Sequence, residues 1–349
     1  MFRLRLLRRR RALICALALA ASTSTALAEG VVNIYSYRQP ELLKPLTDAF
    51  TKETGIRTQV LFSEKGLADR IAAEGPNSPA DVLLTVDISR LAGAKEKGIT
   101  QPIESTQVTQ SVPENLRDPE GHWVGLTTRA RIVYASKDRF EGDDITYDDL
   151  ADPKYRGRVC TRSGGHVYSL GLISWKLARE GEDETRQWLE GVRDNLARKP
   201  AGNDRAQVKA IHAGECDLAI GNTYYMGKML TNEKEPEQKD WARSVKVLFP
   251  SDGEAGTHVN ISGVALAKHA PNKAEALRFI DFLTSDMAQK VYAEANFEYP
   301  VKPGVPTSDL VRSWGVPKPD ATSLDAVARN RKRASELVDE TGFDQGPQS

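Results

Sequence analysis

VVNIY (31–35), RTQVLF (57–62) and DVLLTV (81–86) are three apolar runs of strand length, and the segments between them carry helical spacing. In the first gap, Leu42, Leu43, Leu46 and Phe50 mark one face of a helix from about Pro40, and Gly55 stops it. Pro45 sits awkwardly early in that helix, because a proline cannot donate to the preceding turn. Residues 65–73 fill the second gap with another helix. This β-α-β-α-β order predicts the α/β class, with a mostly parallel sheet and helices on both faces.

A second unit follows. RIVYAS (131–136) and RVCT (158–161) read as strands, and helices are expected over 170–178, 184–196 and 205–212. DLAI (217–220) is a short strand ending in Gly221-Asn222, and VNISGVALA (259–267) is a long extended segment. The helix after it has Asn272 as its cap with Glu275 three residues later, and Leu277, Ile280 and Leu283 on its core side. There is no repeat, low-complexity tract or linker between the halves. Two lobes joined by crossing strands are therefore expected. From 312 onward the chain is polar and punctuated by proline, with one helix near 323–338 and a frayed end.

At 349 residues the chain is long enough for two domains. Its zero net charge hides an asymmetry. Arg3, Arg5 and Arg8 to Arg11 stand in a front segment without acids, so the remainder holds 42 basic against 48 acidic side chains. A mildly acidic body argues against nucleic acid or anionic lipid as a bulk partner. The front reads as an export signal: a basic start, an apolar run over 12–21, and Ala26-Leu27-Ala28 as the cleavage site, with the mature chain beginning after Ala28. The run is short of the roughly 20 residues that span a bilayer. An uncleaved anchor is the alternative, and the arginines leave both the general and the twin-arginine export routes open. Cys160 and Cys216 remain after cleavage. In an oxidising compartment they are expected to pair, the alternative being two separate buried thiols.

No GxSxG elbow, P-loop, GxGxxG or HExxH occurs, and the five histidines are scattered without ligand spacing. The phenols say more. Tyr224 and Tyr225 follow directly on a short strand, where loops of α/β sheets meet ligands. Tyr168 opens a helix after the polar loop Arg162-Ser163-Gly164-Gly165. A tyrosine pair is more often packing, but three tyrosines at strand ends of one lobe suit a hard cation. On the other side, YSYRQP (35–40) ends the first strand and TTRAR (127–131) precedes the strand entering the second lobe. Arginines there suit a planar oxyanion. Arg131 reads equally well as an inter-lobe ion-pair residue.

These segments carry a family resemblance. NIYSYRQP (33–40), SPADVLLTVDISRL (78–91), GLTTRARIVY (125–134), RSGGHVYSLGL (162–172), GNTYYMG (221–227) and HVNISGVALAKHAPN (258–272) resemble the periplasmic ferric-iron-binding proteins of bacterial ABC importers, over nearly all of the mature chain. The resemblance implies a type II, transferrin-like, two-lobed solute-binding fold that holds Fe³⁺ in its cleft and passes it to an inner-membrane permease. The body would be periplasmic, monomeric and not an enzyme. Its lobes would be 29–128 with about 259–300, and about 129–258, with a C-terminal helical segment over about 301–349 packed on both.

Residue by residue, Tyr168, Tyr224 and Tyr225 match the family's three iron-binding tyrosines. Where better-known members place a His and a Glu, this chain reads Arg38-Gln39 and Thr85-Val86-Asp87. The YSYRQP segment is similar to members that complete the metal shell with a carbonate, which makes Arg38, Gln39 and Arg129 its expected holders and Tyr37 an additional cleft residue. Two other readings stay open: the same fold holding a small oxyanion or other solute, and a secreted hydrolase.

Overall fold

The computed structural model describes residues 30–251 and 255–347, so the leader and its cleavage after Ala28 lie outside the described residues. In chain order the strands are β1 (Val31–Ser36), β2 (Arg57–Phe62), β3 (Val82–Thr85), β4 (Thr100–Gln101), β5 (Val124–Ser136), β6 (Val159–Cys160), β7 (Leu218–Asn222), β8 (Val245–Leu248), β9 (Val259–Ala267) and β10 (Tyr299–Pro300). They are ordered β2-β1-β3-β9-β5-β7-β6, with β4 on β9 and both β8 and β10 on β5. β1 runs parallel to β2 and β3, as the three opening runs predict, but β9 reverses against β3 and β5, and β5 is antiparallel to every neighbour, so the expected mostly parallel sheet is corrected to a mixed one.

β5 joins the halves. Its residues Val124–Ala130 pair with β9, whereas Arg131–Ser136 pair with β7 and β8. Thirteen residues, all buried, span about 44 Å at the usual rise per residue. A strand beginning at 131 is therefore corrected to one beginning at Val124. The apolar pattern breaks at Thr127-Thr128-Arg129, but these polar residues are satisfied inside the fold: Thr127 donates to Glu298, and Arg129 to Ser262.

Two cores flank this strand. One gathers Val32, Ile34, Leu84, Val264 and the ring cluster Phe50, Phe279 and Phe282. Full burial of Phe50 contributes roughly 2–3 kcal/mol. The other is built on Tyr147, Trp175, Trp188 and Leu218, extended by Ile132, Val208, Met226 and Met229. The first helix runs Pro40–Thr54 and ends at Gly55, whose φ of 73° suits a residue without Cβ. Pro45 is tolerated within it because the carbonyl it orphans belongs to exposed Glu41.

Two local expectations are corrected. Asn272 precedes the helix Lys273–Leu283 without capping it through its side chain. Its backbone N–H and side-chain amide instead donate to Asp81 at 2.7 and 3.0 Å, and Asn33 donates twice to the same carboxylate. A buried carboxylate with that many donors at hand outcompetes the local cap. The single helix over 323–338 is two, Leu324–Arg329 and Arg331–Glu340, parted at Asn330. The first packs against both Ile88–Glu96 and Val167–Glu180, bridging the two cores. Among the described residues no helix is long and apolar enough to cross a membrane.

Candidate functional site

The tyrosines leave their strands at the starts of helices. Tyr168 is the second residue of the helix Val167–Glu180, and Tyr224 and Tyr225 open the helix Tyr224–Leu230. The pair was expected in a loop; it stands instead in the first turn of a helix. His166 caps the Tyr168 helix, its Nδ1 accepting from the Tyr168 N–H at 3.2 Å.

The backing of this wall is covalent and ionic. Cys160 on β6 is bonded to Cys216 just before β7, so the segments leading to Tyr168 and Tyr224 are tied together. Buried Asp204 accepts from Arg131 at 2.7 Å, from Arg162 at 3.0 Å and from the Asn222 N–H at 2.9 Å. It thereby fixes the end of β7, and Arg131 proves to be a buried ion-pair residue. Gly221 is required by close approach: a Cβ there would stand 2.4 Å from the Tyr134 ring. Asp344 takes the Ser163 hydroxyl at 2.6 Å and the Gly164 N–H at 2.7 Å, so the segment after the last helix clamps the loop before Tyr168.

All the residues singled out for metal, anion and cleft roles line one cavity of about 100 Å³ between the cores: Tyr37, Arg38, Gln39, Arg129, Tyr168, Tyr224 and Tyr225. The Tyr224 hydroxyl donates to the Tyr168 oxygen at 3.0 Å, and the Tyr224 and Tyr225 rings lie 4.4 Å apart. Burial pushes Tyr224 well above the usual phenol range and Tyr225 up to about 12; Tyr168 adds to both shifts and Tyr225 to that of Tyr224, while the hydrogen bond from Tyr224 pulls Tyr225 slightly back. Both are therefore protonated at neutral pH.

The facing wall is held by arginine. Arg38 donates to Asn296 at 2.5 Å, to Ser262 at 2.5 Å and to Glu298 at 2.9 Å. Burial alone would push the Glu298 carboxyl up, but Arg38 and Arg129 outweigh it and hold the group below its usual range. Arg38 Nε and Arg129 Nη2 are buried donors without a protein acceptor. Gln39 stands exposed at the N-terminus of the helix Pro40–Thr54, and its side chain makes no capping bond. Tyr37 lines the cavity while its hydroxyl oxygen accepts from the Ala68 N–H at 3.1 Å.

Sequence reading missed Lys228 and Glu298, which also line the cavity. Burial, reinforced by Arg38, lowers Lys228 to about 8, and its ammonium lies 5.1 Å from the Tyr224 ring centre. The position three residues after Tyr225 on the same helix was the available signal for Lys228. Glu298 had none, since its partner Arg38 stands 260 residues away. Asp87 is not offered to the cavity: it caps the helix Ile88–Glu96 and accepts from Asn260 at 2.9 Å, leaving only Val86 of that segment in the wall. Among the described residues no trio of His, Cys, Asp or Glu gathers at metal-binding distance.

Comparison with known proteins gives a concordant picture. The family model described as bacterial extracellular solute-binding protein matches residues 77–314. Iron uptake protein A1 of Synechocystis sp. is 45% identical over 314 residues, 89% of this chain and 87% of that protein. Ferric iron-binding protein A of Mannheimia haemolytica, solved in an open conformation, is 49% identical with a TM-score of 0.86, covering 90% of this chain and 99% of that one. A Trichodesmium protein solved with iron and citrate is 40% identical with a TM-score of 0.86, covering 90% of this chain and all of that one. The architecture is thus the two-lobed type II fold of these neighbours, as expected. The chain belongs to the family of bacterial extracellular solute-binding proteins.

Proposed function

We propose that this protein is a periplasmic carrier that captures Fe³⁺ between its lobes through Tyr168, Tyr224 and Tyr225 and hands it to an ABC permease. The observation that carries the reading is the phenol cluster itself: three tyrosines at helix starts, two of them 3.0 Å apart through their hydroxyls, in a cavity without competing carboxylate ligands on their wall. Hard phenolate oxygen matches a hard trivalent cation, and three phenolates balance its charge. The basic leader and the iron-uptake relatives support export and delivery. The moving bodies are 29–128 with 259–300, and 129–258. Nothing in this role requires catalysis.

The coordination shell is completed by carbonate between Arg38, Gln39 and Arg129. The orphaned Arg38 Nε and Arg129 Nη2 are donors of the right kind for a planar oxyanion. Charge agrees: Arg38, Arg129 and Lys228 face one carboxylate, Glu298, so two positive charges stand uncompensated once the tyrosinates have neutralised the metal. A dianion fits that surplus, with the helix start at Gln39 adding to the field. A pure oxyanion carrier would use the same arginines, but it leaves the three phenols without a task.

The test is spectroscopic. Iron-loaded protein should show a tyrosinate charge-transfer band, and Tyr224→Phe or Tyr225→Phe should weaken binding by at least the roughly 100-fold reached by outer-shell changes at metal sites. Loading without carbonate should shift the band and weaken binding, and bicarbonate should restore both, except in Arg129→Ala. Citrate restoring the band where bicarbonate does not would replace the anion while leaving the tyrosines. Unaltered iron affinity in both phenylalanine variants would sink the proposal.

A further inference from the structure

Among the described residues, Phe297 is the single non-glycine residue with positive φ, 57°. It ends the helix Asp286–Asn296 in the left-handed conformation, which a residue with a Cβ adopts only when its surroundings hold it there. Its ring lies against Gly227 on the helix that opens with Tyr224 and Tyr225 and enters the other core through Met226 and Met229. A Cβ on Gly227 would come within 2.3–2.7 Å of three Phe297 atoms, far inside contact distance. The glycine therefore exists to admit this ring.

The residues on either side of Phe297 both reach back to the anion wall. Asn296 accepts from Arg38 at 2.5 Å. Glu298 accepts from Arg38 at 2.9 Å, from Ser262 of β9 at 3.0 Å, and from Thr127 of β5. β10, directly after, pairs with β5 at Thr127 and Thr128. Three consecutive residues thus touch the arginine of one wall, the helix carrying two tyrosines of the other, and both crossing strands.

We propose that the corner 296–298 is a positioning element that couples closure of the lobes to assembly of the iron site, with the Phe297 ring on Gly227 as the contact that closure makes. The left-handed turn is what aims Asn296 and Glu298 at Arg38 while directing the ring between them at the tyrosine helix. Opening the cleft separates Phe297 from Gly227, and closing restores the contact that holds the tyrosines opposite the anion wall. This rests on the iron-site reading above.

The experiment compares wild-type protein with Gly227→Ala, Phe297→Asn and the double variant. Asparagine tolerates the left-handed backbone, so Phe297→Asn removes the ring without disturbing the turn. Each single variant is expected to keep the wavelength of the tyrosinate band but to release iron to EDTA roughly tenfold faster, an effect within the range of contacting pairs. The double variant should be no faster than Phe297→Asn alone, since the added methyl then meets no ring. Solution scattering should show compaction on loading iron in the wild type and less of it in the single variants. Release and compaction like the wild type, or additive effects in the double variant, would overturn the coupling. Should Gly227→Ala lose its fold by circular dichroism, Phe297→Asn decides by the same readouts. A wild-type protein without the band would instead fail the site reading, and the coupling with it.

Discussion

The two walls of the cleft are built on opposite plans. The tyrosine wall is built of phenols: Tyr224 is buried, its pKa raised well above the usual phenol range, and it donates to the Tyr168 oxygen, while Cys160–Cys216 and Asp204 brace the wall from behind. The arginine wall is charged beforehand and nearly satisfied, with Arg38 tied to Ser262, Asn296 and Glu298 across 224, 258 and 260 residues of chain. One wall is a set of phenols, which the proposed function has a cation ionise. The other is a fixed field with a few unused donors, suited to an anion.

The comparison breaks most visibly at the disulfide, which serves the tyrosine wall alone. Replacing Cys160 and Cys216 by serine should lower stability by up to about 4 kcal/mol, the chain-entropy value for a loop of this length. Where the variant is folded, its tyrosinate band should stand at the same wavelength. Urea melts of oxidised wild type and variant measure the first, and absorbance of the iron-loaded forms the second. Equal melts would mean that the ionic bracing by Asp204 is enough by itself.

That asymmetry also explains how much could be read without coordinates. The tyrosine wall is local: GNTYYMG and RSGGHVYSLGL each place a ligand candidate beside its own strand end, and the strand pattern of 31–86 carries only the parallel part of a mixed sheet. The arginine wall is assembled from distant segments, so Arg38, Gln39 and Arg129 could be named from their motifs while Glu298, Asn296 and Ser262 could not. β5 was shortened for the same reason. Thr127 and Arg129 look like a loop until their acceptors, Glu298 and Ser262, arrive from elsewhere. The cap at Asn272 gave way because Asp81, 191 residues earlier, offers both of its oxygens.

The arginine wall is sharpened by Glu298→Gln. Breaking a buried pair leaves Arg38 uncompensated, so stability should fall by about 3 kcal/mol. The same change removes the cavity wall's one negative charge and so raises its net charge by one. Half-restoration of the band should then need less bicarbonate than in the wild type, read by titrating carbonate-free, iron-loaded protein. A variant as stable as the wild type, with the same bicarbonate requirement, would remove Glu298 from the account of that wall.

The smallest expected effect lies where the walls meet. His258, just before β9, accepts the Arg131 N–H on its carbonyl and rests its ring 5.7 Å from that of Trp175 in the tyrosine-bearing helix. Burial, then Arg131 and Arg129, hold its pKa down to about 3, against a weaker opposing pull from Asp320. In the unfolded chain the ring takes its proton near 6.5. Between those values the unfolded state binds the extra proton, so stability rises with pH and is lost as the solution is acidified. From pH 7 to pH 5 that loss is roughly 2 kcal/mol, at about 1.4 kcal/mol per unit below the unfolded value. The buried carboxylates with lowered pKa, such as Glu298, withdraw their contribution only at more acid pH, which leaves this window to the histidines. His258→Gln removes the titrating ring, so it should be less stable than the wild type at pH 7, having lost the contact with Trp175, yet lose less on acidification. Urea melts at pH 7, 6 and 5 decide. Parallel slopes for the two proteins would show that His258 is protonated in the folded state, and that the junction of the walls admits a charge its two arginines should refuse.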